Sequence, residues 1–225
     1  MSNLYIIATP IGNLEDISKR ALRILSEVDL ILCEDTRVTK RLLTHYQIKT
    51  ETLSYHQHSK LKKVDYIIDI LKGGKSLALV SDAGTPGISD PGNQLIAKMT
   101  EAKPQSVKVV PIPGASAVIV AASVSGFAMD SFLFLGFPPA KKKRKKFFGE
   151  VANSKFPVIF YESPYRIIKT LKELSPEIKE RKIVICRELT KKFETIYRGN
   201  INNVIKEVEK DKIKGEFAVV LEGKK

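Results

Sequence analysis

Short apolar runs alternate with amphipathic stretches of helix length through the first half of this chain. That alternation leaves few folds open beyond a mainly parallel sheet covered by helices, so the expected class is α/β. Leu4–Ala8, Leu30–Cys33, Ser76–Val80 and Val107–Val110 read as strands. Between them, Ile17–Val28 presents Ala21, Leu22, Leu25 and Val28 on one helical face, with Asp16 as its expected N-cap. Thr36–Tyr46 and Leu61–Leu71 read as two further helices, the latter stopped by Gly73-Gly74, and another follows the 81–92 loop through about Met99. Pro111 and Pro113 are expected to end the fourth strand and launch a small-residue helix, Ala115–Val124.

Beyond Gly126 the rhythm changes. Ser131–Phe137 reads as a strand, Pro138-Pro139 as a break and candidate boundary, and KKKRKK at 141–146 as a solvated charge run. Val158–Tyr161, Ile183–Cys186, Phe193–Arg198 and Phe217–Leu221 read as strands, with helices over 164–174 and 202–208. They form a second α/β unit, expected to hold a mixed sheet with one hairpin-like pair.

The 225 residues carry a net charge of +13, distributed unevenly. Residues 1–112 hold 15 basic and 12 acidic side chains, whereas 113–225 hold 23 and 13. The excess implies a polyanionic partner for the second half. A hydrophobic content of 43% excludes disorder for the bulk of the chain. No run approaches about 18 apolar residues, and MSNLYIIATPIG lacks a basic lead, so neither a membrane span nor a signal peptide is expected. Cys33 and Cys186 each end an apolar run, as small buried hydrophobes do in a reducing compartment. A disulfide framework and a zinc site are both excluded on this reading, and no metal is expected.

The densest chemical signal is SDAGTPGISDPG at 81–92, directly after an apolar strand. Its three glycines permit tight turns and close approach to a ligand, yet the spacing fits neither the P-loop nor the dinucleotide fingerprint. Asp82 at the strand end would repel a phosphate but could accept hydrogen bonds from a ribose or amine, or favour a cation such as a sulfonium. The alternative is an ordinary turn with Asp82 and Asp90 as caps. Thr9-Pro10-Ile11-Gly12-Asn13 and Pro113-Gly114-Ala115-Ser116-Ala117 are loops at the same expected sheet edge, and three converging loops would make one pocket. Cys33-Glu34-Asp35-Thr36-Arg37 reads either as a site or as a helix cap at Asp35 with Arg37 paired to it. His56 and His58 lack a nearby Cys or acid and read as surface or substrate contacts rather than metal ligands. Tyr161-Glu162-Ser163-Pro164-Tyr165-Arg166 and Arg187-Glu188-Leu189-Thr190-Lys191-Lys192 mix charge with Tyr and hydroxyls. That suits contacts to bases and phosphates, with capping and surface ion pairing as the competing reading.

In this order, ATPIGNLEDIS, CEDTR, YHQH, SDAGTPGISDPG, PGASA, YESPYR, RELTKKFE and GEFAVVLEG resemble the ribosomal RNA small subunit methyltransferase I family, related to the tetrapyrrole methylases. The likeness covers nearly the whole chain and is weakest at 138–150. It implies a two-domain fold, 1–113 on the acceptor side with part of the donor pocket, and 114–225 with the rest of that pocket and a basic RNA-facing surface. It also implies a donor cleft between the domains, a cytoplasmic homodimer, and S-adenosylmethionine as methyl donor. The donor would meet Asp82, Ala83, Gly84 and Thr85, with Ser116 and Ala117 on another side and Pro10 and Tyr161 completing the pocket. The implied acceptor is the 2′-hydroxyl of a cytidine in the decoding region of 16S rRNA in the small ribosomal subunit.

For such a transfer the enzyme must chiefly align the ribose oxygen with the methyl group, helped by a base or a cation. Asp35 and Glu188 are the candidate bases, and Arg37 and Lys191 the accompanying catalytic cations. Arg166, Arg187, Glu162 and His56 are candidates for holding substrate. Two rivals stand beside this reading: a tetrapyrrole C-methyltransferase acting on an acidic macrocycle, and a non-catalytic ribosome assembly factor. The macrocycle explains less of the charge carried by the second half.

Overall fold

The computed structural model describes residues 2–56, 61–90, 92–102, 107–178 and 180–224, so His58 lies outside the described residues. The chain divides into two compact units, Met1–Ser116 and Ala117–Lys225.

The first unit contains β1 (Ser2–Ile7), α1 (Lys19–Glu27), β2 (Leu30–Cys33), α2 (Thr36–His45), β3 (Thr52–Ser54), α3 (Leu61–Lys72), β4 (Leu77–Leu79), α4 (Asn93–Ala102) and β5 (Val107–Ile112). Its five strands lie parallel in the order β3-β2-β4-β1-β5. Successive residues of β1 feed opposite faces. Leu4 joins Ile67 and Leu71 of α3 and Leu95 of α4, while Ile7 joins Ala21 and Leu25 of α1 and Leu43 of α2. Connections leaving β1 and β2 run one way along the sheet, and those leaving β3 and β4 run the other, so right-handed crossovers put helices on both faces. Neighbouring β1 and β4 therefore send their chains in opposite directions, and beyond such strand ends α/β sheets hold ligands.

Two local expectations change. Ser18 caps α1 instead of Asp16, its Oγ accepting from Ala21 N at 3.1 Å, because Leu14–Asp16 first closes a separate 3₁₀ turn capped by Asn13. β5 continues through Pro111 to Ile112 and pairs in register with Ile6 and Ile7. It is an edge strand and uses only half of its N–H groups, so proline is tolerated there.

The second unit contains α5 (Ala117–Ser125), β6 (Leu133–Phe134), α6 (Arg144–Asn153), β7 (Val158–Glu162), α7 (Ile167–Ile178), β8 (Lys182–Arg187), β9 (Thr195–Asn200), α8 (Ile201–Lys210) and β10 (Phe217–Leu221). The sheet order is β6-β7-β10-β8-β9, with β6 parallel to β7 and the other pairs antiparallel. It is the expected mixed sheet, with β8 and β9 as the hairpin-like pair. Phe160, Ile185 and Val219 form its core with α6, α7 and α8. α5 packs on β7 and β10, where Ile159, Ala218 and Val220 are also buried.

The basic run is not wholly solvated. Lys141, Lys142, Lys143, Lys145 and Lys146 are exposed, but Arg144 opens α6 and is buried. The strand expected over 131–137 shrinks to two residues. Cys33 and Cys186 are buried free thiols, and burial raises the Cys186 pKa to about 11. Among the described residues no helix is long and apolar enough to cross a membrane, and no cluster of three or more metal-ligating side chains forms.

Candidate functional site

Four loops at the carboxyl ends of the first unit's strands are tied together by hydrogen bonds. Thr9 and Gly84 exchange backbone bonds of 2.9 and 3.0 Å, joining the loop after β1 to the loop after β4. Gly84 has φ +80°, a left-handed conformation that favours glycine. Thr9 Oγ1 donates to Ser81 O at 3.2 Å, and Thr85 Oγ1 donates to Ala115 O at 3.1 Å, which brings in PGASA. Asp35 N donates to Asp82 Oδ1 at 3.0 Å, which brings in CEDTR. The convergence expected of Pro10, Asp82–Thr85 and Ser116 is thus present within one unit. Asp82 and Ala83 are exposed, and Pro10, Thr85 and Ser116 half-buried. Ala117 opens α5 in the second unit.

Asp35 caps α2 through Arg37 N at 2.8 Å, and its carboxylate grips the Arg37 guanidinium at 2.6 to 3.2 Å. Those bonds lower its pKa to about 2. The structure shows the capping reading of this stretch, with Arg37 paired to Asp35, and the Asp35 amide also donates to Asp82. His56 is exposed beyond β3, with Nε2 2.8 Å from Ser54 Oγ.

Two other carboxyls move upward. Burial, reinforced by Asp82, raises Glu34, and burial holds Asp90 at about 6 against the lowering effect of Ser81, with Glu34 and Asp82 adding repulsion. Nothing in the sequence marks this difference between Glu34, Asp35 and Asp90. A raised folded-state pKa gives stability that is present at low pH and lost as pH rises from about 4 through 6. Asp35 acts oppositely, losing its contribution as pH falls toward 2. Asp90→Asn is expected to flatten the decline between pH 4 and 6. At pH 7.5 it should stabilise the protein by about 1 kcal/mol after allowance for solvent screening. Urea denaturation at both pH values measures this, and a loss of stability at pH 7.5 would contradict it.

In the second unit, Tyr161 lies on β7 with its ring 4.9 Å from Phe134 and 5.5 Å from Phe137, both edge-on. The adjacent Glu162 is buried and accepts from Ser163 N at 2.8 Å, Thr170 Oγ1 at 2.6 Å and the Arg166 guanidinium at 2.8 Å. Arg187 is also buried, donating to Asp211 at 2.7 Å and Lys214 O at 2.9 Å. Glu188 stands at φ +52°, a strained position for a residue with a Cβ. Its carboxylate holds Lys191 Nζ and Glu216 N, each at 2.9 Å. A side chain at Gly215 would run into that carboxylate. Burial raises the Glu188 pKa, but Lys191 and the Glu216 amide outweigh it and the net shift is downward. Lys191 shifts upward, burial being outweighed by Glu188 and Glu216. Five of the residues expected to serve substrate or catalysis, Glu162, Arg166, Arg187, Glu188 and Lys191, are therefore engaged within their own unit, an arrangement set by distant pairings such as Glu188 with Glu216.

The model of the tetrapyrrole (corrin/porphyrin) methylases matches residues 3–205. The chain belongs to that family. Members of the family use S-adenosylmethionine as methyl donor, and this protein is a methyltransferase of that kind. It is 46% identical over 221 residues to the ribosomal RNA small subunit methyltransferase I of Halalkalibacterium halodurans, covering 98% of this chain and 75% of that protein. It is 48% identical over 224 residues to the Vibrio cholerae protein of the same name, covering 98% and 77%. A crystal structure of diphthine synthase superposes with a TM-score of 0.71 at 15% identity, over 98% of this methylase and 90% of that chain, and so shows the fold alone.

Proposed function

We propose that this methylase transfers the methyl group of S-adenosylmethionine to the ribose 2′-oxygen of a cytidine in the decoding region of 16S rRNA. Two relatives at 46 and 48% identity carry the name ribosomal RNA small subunit methyltransferase I. The observation that carries the acceptor reading is the charge of the second unit. Its 23 basic and 13 acidic residues include five exposed lysines in 141–146 and the exposed rings of Tyr165 and Phe193, a composition suited to phosphates and unstacked bases.

The first unit's loops fit the donor chemically. Asp82, Glu34 and Asp90 form an acidic surround for a cationic ligand, and the glycine backbone at Gly84 permits close approach. Bound S-adenosylmethionine supplies an electrophilic methyl group on a sulfonium. Asp82 is assigned to hold the donor through the oxygen not used by Asp35 N, with Pro10, Ala83, Gly84, Thr85 and Ser116 lining it. In the second unit Ala117 and Tyr161 are assigned to the donor as well.

Asp35 and Glu188, both depressed in pKa, are poor acceptors for a ribose proton. We assign them to positioning: Asp35 aims Asp82, and Glu188 fixes Lys191. Asp90 and Glu34 are the better matched proton holders, and alignment supplies most of the acceleration. Arg37, 85% exposed, remains free to reach a phosphate beyond its pairing with Asp35, whereas Glu162 and Arg187 organise the second unit. Arg166 and His56 stay assigned to the acceptor. The homodimer and the cytoplasmic setting belong to the same proposal.

The test is methylation of purified small subunits lacking the modification, compared with free 16S RNA, followed by mapping of the nucleotide. A methyl group on a cytidine ribose is expected. A methyl group on a base, or on a porphyrinoid supplied in parallel, overturns the assignment. Reversing the five lysines at 141, 142, 143, 145 and 146 while sparing Arg144 should weaken RNA binding at least tenfold at low salt and leave donor binding unchanged. Filter binding and calorimetry separate the two, and equal losses in both would refute that division of labour.

A further inference from the structure

A cavity of about 650 Å³ opens at one end of the second unit's sheet, where β7 and β8 begin and β9 and β10 end. Tyr161, Glu162, Arg187 and Glu188 lie at the opposite ends of the strands. At about 3.3 Å per residue, Pro157 at the cavity stands about 13 Å along β7 from Tyr161. The cavity is thus separate from the groups assigned above.

Its charge is one-sided. Lys155, Lys182, Arg198 and Lys224 line it and are exposed, against a single carboxylate, Glu222. Among the described residues none of the four cations enters an ion pair. Glu222 Oε2 accepts from Lys182 N at 3.3 Å, and its carbonyl accepts from Arg181 Nε at 2.8 Å, which holds the residue against the chain. The other electronegative element is the carboxyl end of α5, where Arg198 Nη2 covers Val124 O at 2.6 Å. The accessible apolar part of the wall is Phe127, Ala128 and Pro157, while Ile183 and Val184 back it from the buried sheet. Phe127 is half-buried, and its amide donates to Ser125 Oγ at 3.1 Å, which fixes the backbone carrying the ring.

A cationic rim around an apolar wall with one aromatic ring matches a nucleotide unit, with phosphate on the rim and base on the ring. We propose that this cavity is a second RNA site, which takes a single-stranded segment of the acceptor RNA away from the reacting ribose. The phosphates lie on Lys155, Lys182, Arg198 and Lys224, and one base packs on Phe127. The inference rests on the rRNA-methyltransferase reading. An inward-stacked duplex offers no base to Phe127, so the site selects unpaired RNA.

The test uses the full chain, the K155A/K182A double variant and F127A. Affinity for a labelled single-stranded RNA oligonucleotide and for its duplex is followed by anisotropy across a salt titration, with calorimetry of S-adenosylmethionine and thermal melting alongside. Each variant should bind the single strand about tenfold more weakly at low salt. The double variant should lose about 1.4 from the slope of log affinity against log salt, at roughly 0.7 per phosphate contact. Donor affinity and melting should match the parent. Parental affinity and slope in both variants, an equal loss for duplex, or displacement of the RNA by inorganic phosphate alone at millimolar concentration would each overturn the proposal. If the parent binds and methylates small-subunit RNA and the variants behave like it, the cavity assignment alone fails. If the parent neither binds nor methylates that RNA, the rRNA-methyltransferase reading fails and the cavity assignment falls with it.

Discussion

Replacing Glu162 by alanine is expected to destabilise the second unit by about 3–5 kcal/mol, because it strands the Arg166 guanidinium that the carboxylate compensates and leaves Ser163 N and Thr170 Oγ1 without their acceptor. Glu162 is 1% exposed and sits at the centre of a chain of charged hydrogen bonds. One oxygen takes Arg166 and Ser163 N, each at 2.8 Å, and the other takes Thr170 Oγ1 at 2.6 Å. Thr170 Oγ1 in turn accepts from Arg144 Nη2 at 2.9 Å, and Arg144 also pairs with Glu173 at 2.8 Å and lies over the Phe148 ring at 4.8 Å. The two guanidiniums donate to Pro139 O and Pro138 O, at 3.0 and 3.2 Å. The proline break beside Phe137, whose ring meets Tyr161, is therefore pinned by this network. Thermal and urea denaturation of Glu162→Ala should show a fall in Tm on the order of 15 °C. Glu162→Gln keeps one acceptor oxygen but neither the second acceptor nor the charge, and should lose somewhat less free energy than the alanine variant. A Glu162→Ala protein melting within a few degrees of the parent would show that the arginines find other compensation.

Asp82→Asn is expected to weaken S-adenosylmethionine binding about 10- to 100-fold, the range of one charged hydrogen bond. The amide oxygen can still accept from Asp35 N, so the loop stays in place while the charge facing the donor is lost. Asp82→Ala removes that acceptor too and should add a smaller loss in melting temperature. Calorimetry of donor binding decides the matter. Parental affinity in Asp82→Asn would remove Asp82 from the donor site and leave it as a brace between two loops.

The pattern of apolar runs located nearly every strand because buried strands must be apolar whatever else they do. Phe217–Leu221 and Leu30–Cys33 coincide with their observed limits. Elements outside that logic escaped it. β3 is a three-residue strand with no fully buried residue, and α6 begins inside a basic run that gives no amphipathic cue. The converging strand-end loops were legible because glycine, proline and a strand-end aspartate have few other uses in that density. Arg144 was not legible, because a lysine-rich run reads as solvated unless a distant partner buries one member. Thr170 and Glu173 lie 26 and 29 residues away.

By itself the sequence determined the α/β class, the order of most elements, the family, the acidic glycine-rich loop and the basic second half, since each is a property of local composition and period. Only tertiary structure decided which charges are spent. Asp35 and Glu188 are held low in pKa by Arg37 and Lys191 while Asp90 is raised to about 6. Arg144, Arg166 and Arg187 are bound to carboxylates in their own unit, while Lys155, Lys182, Arg198 and Lys224 gather around a cavity. A side chain's charge is written in the sequence, but its solvation and its partner depend on residues brought together by folding, and those set what the charge can do.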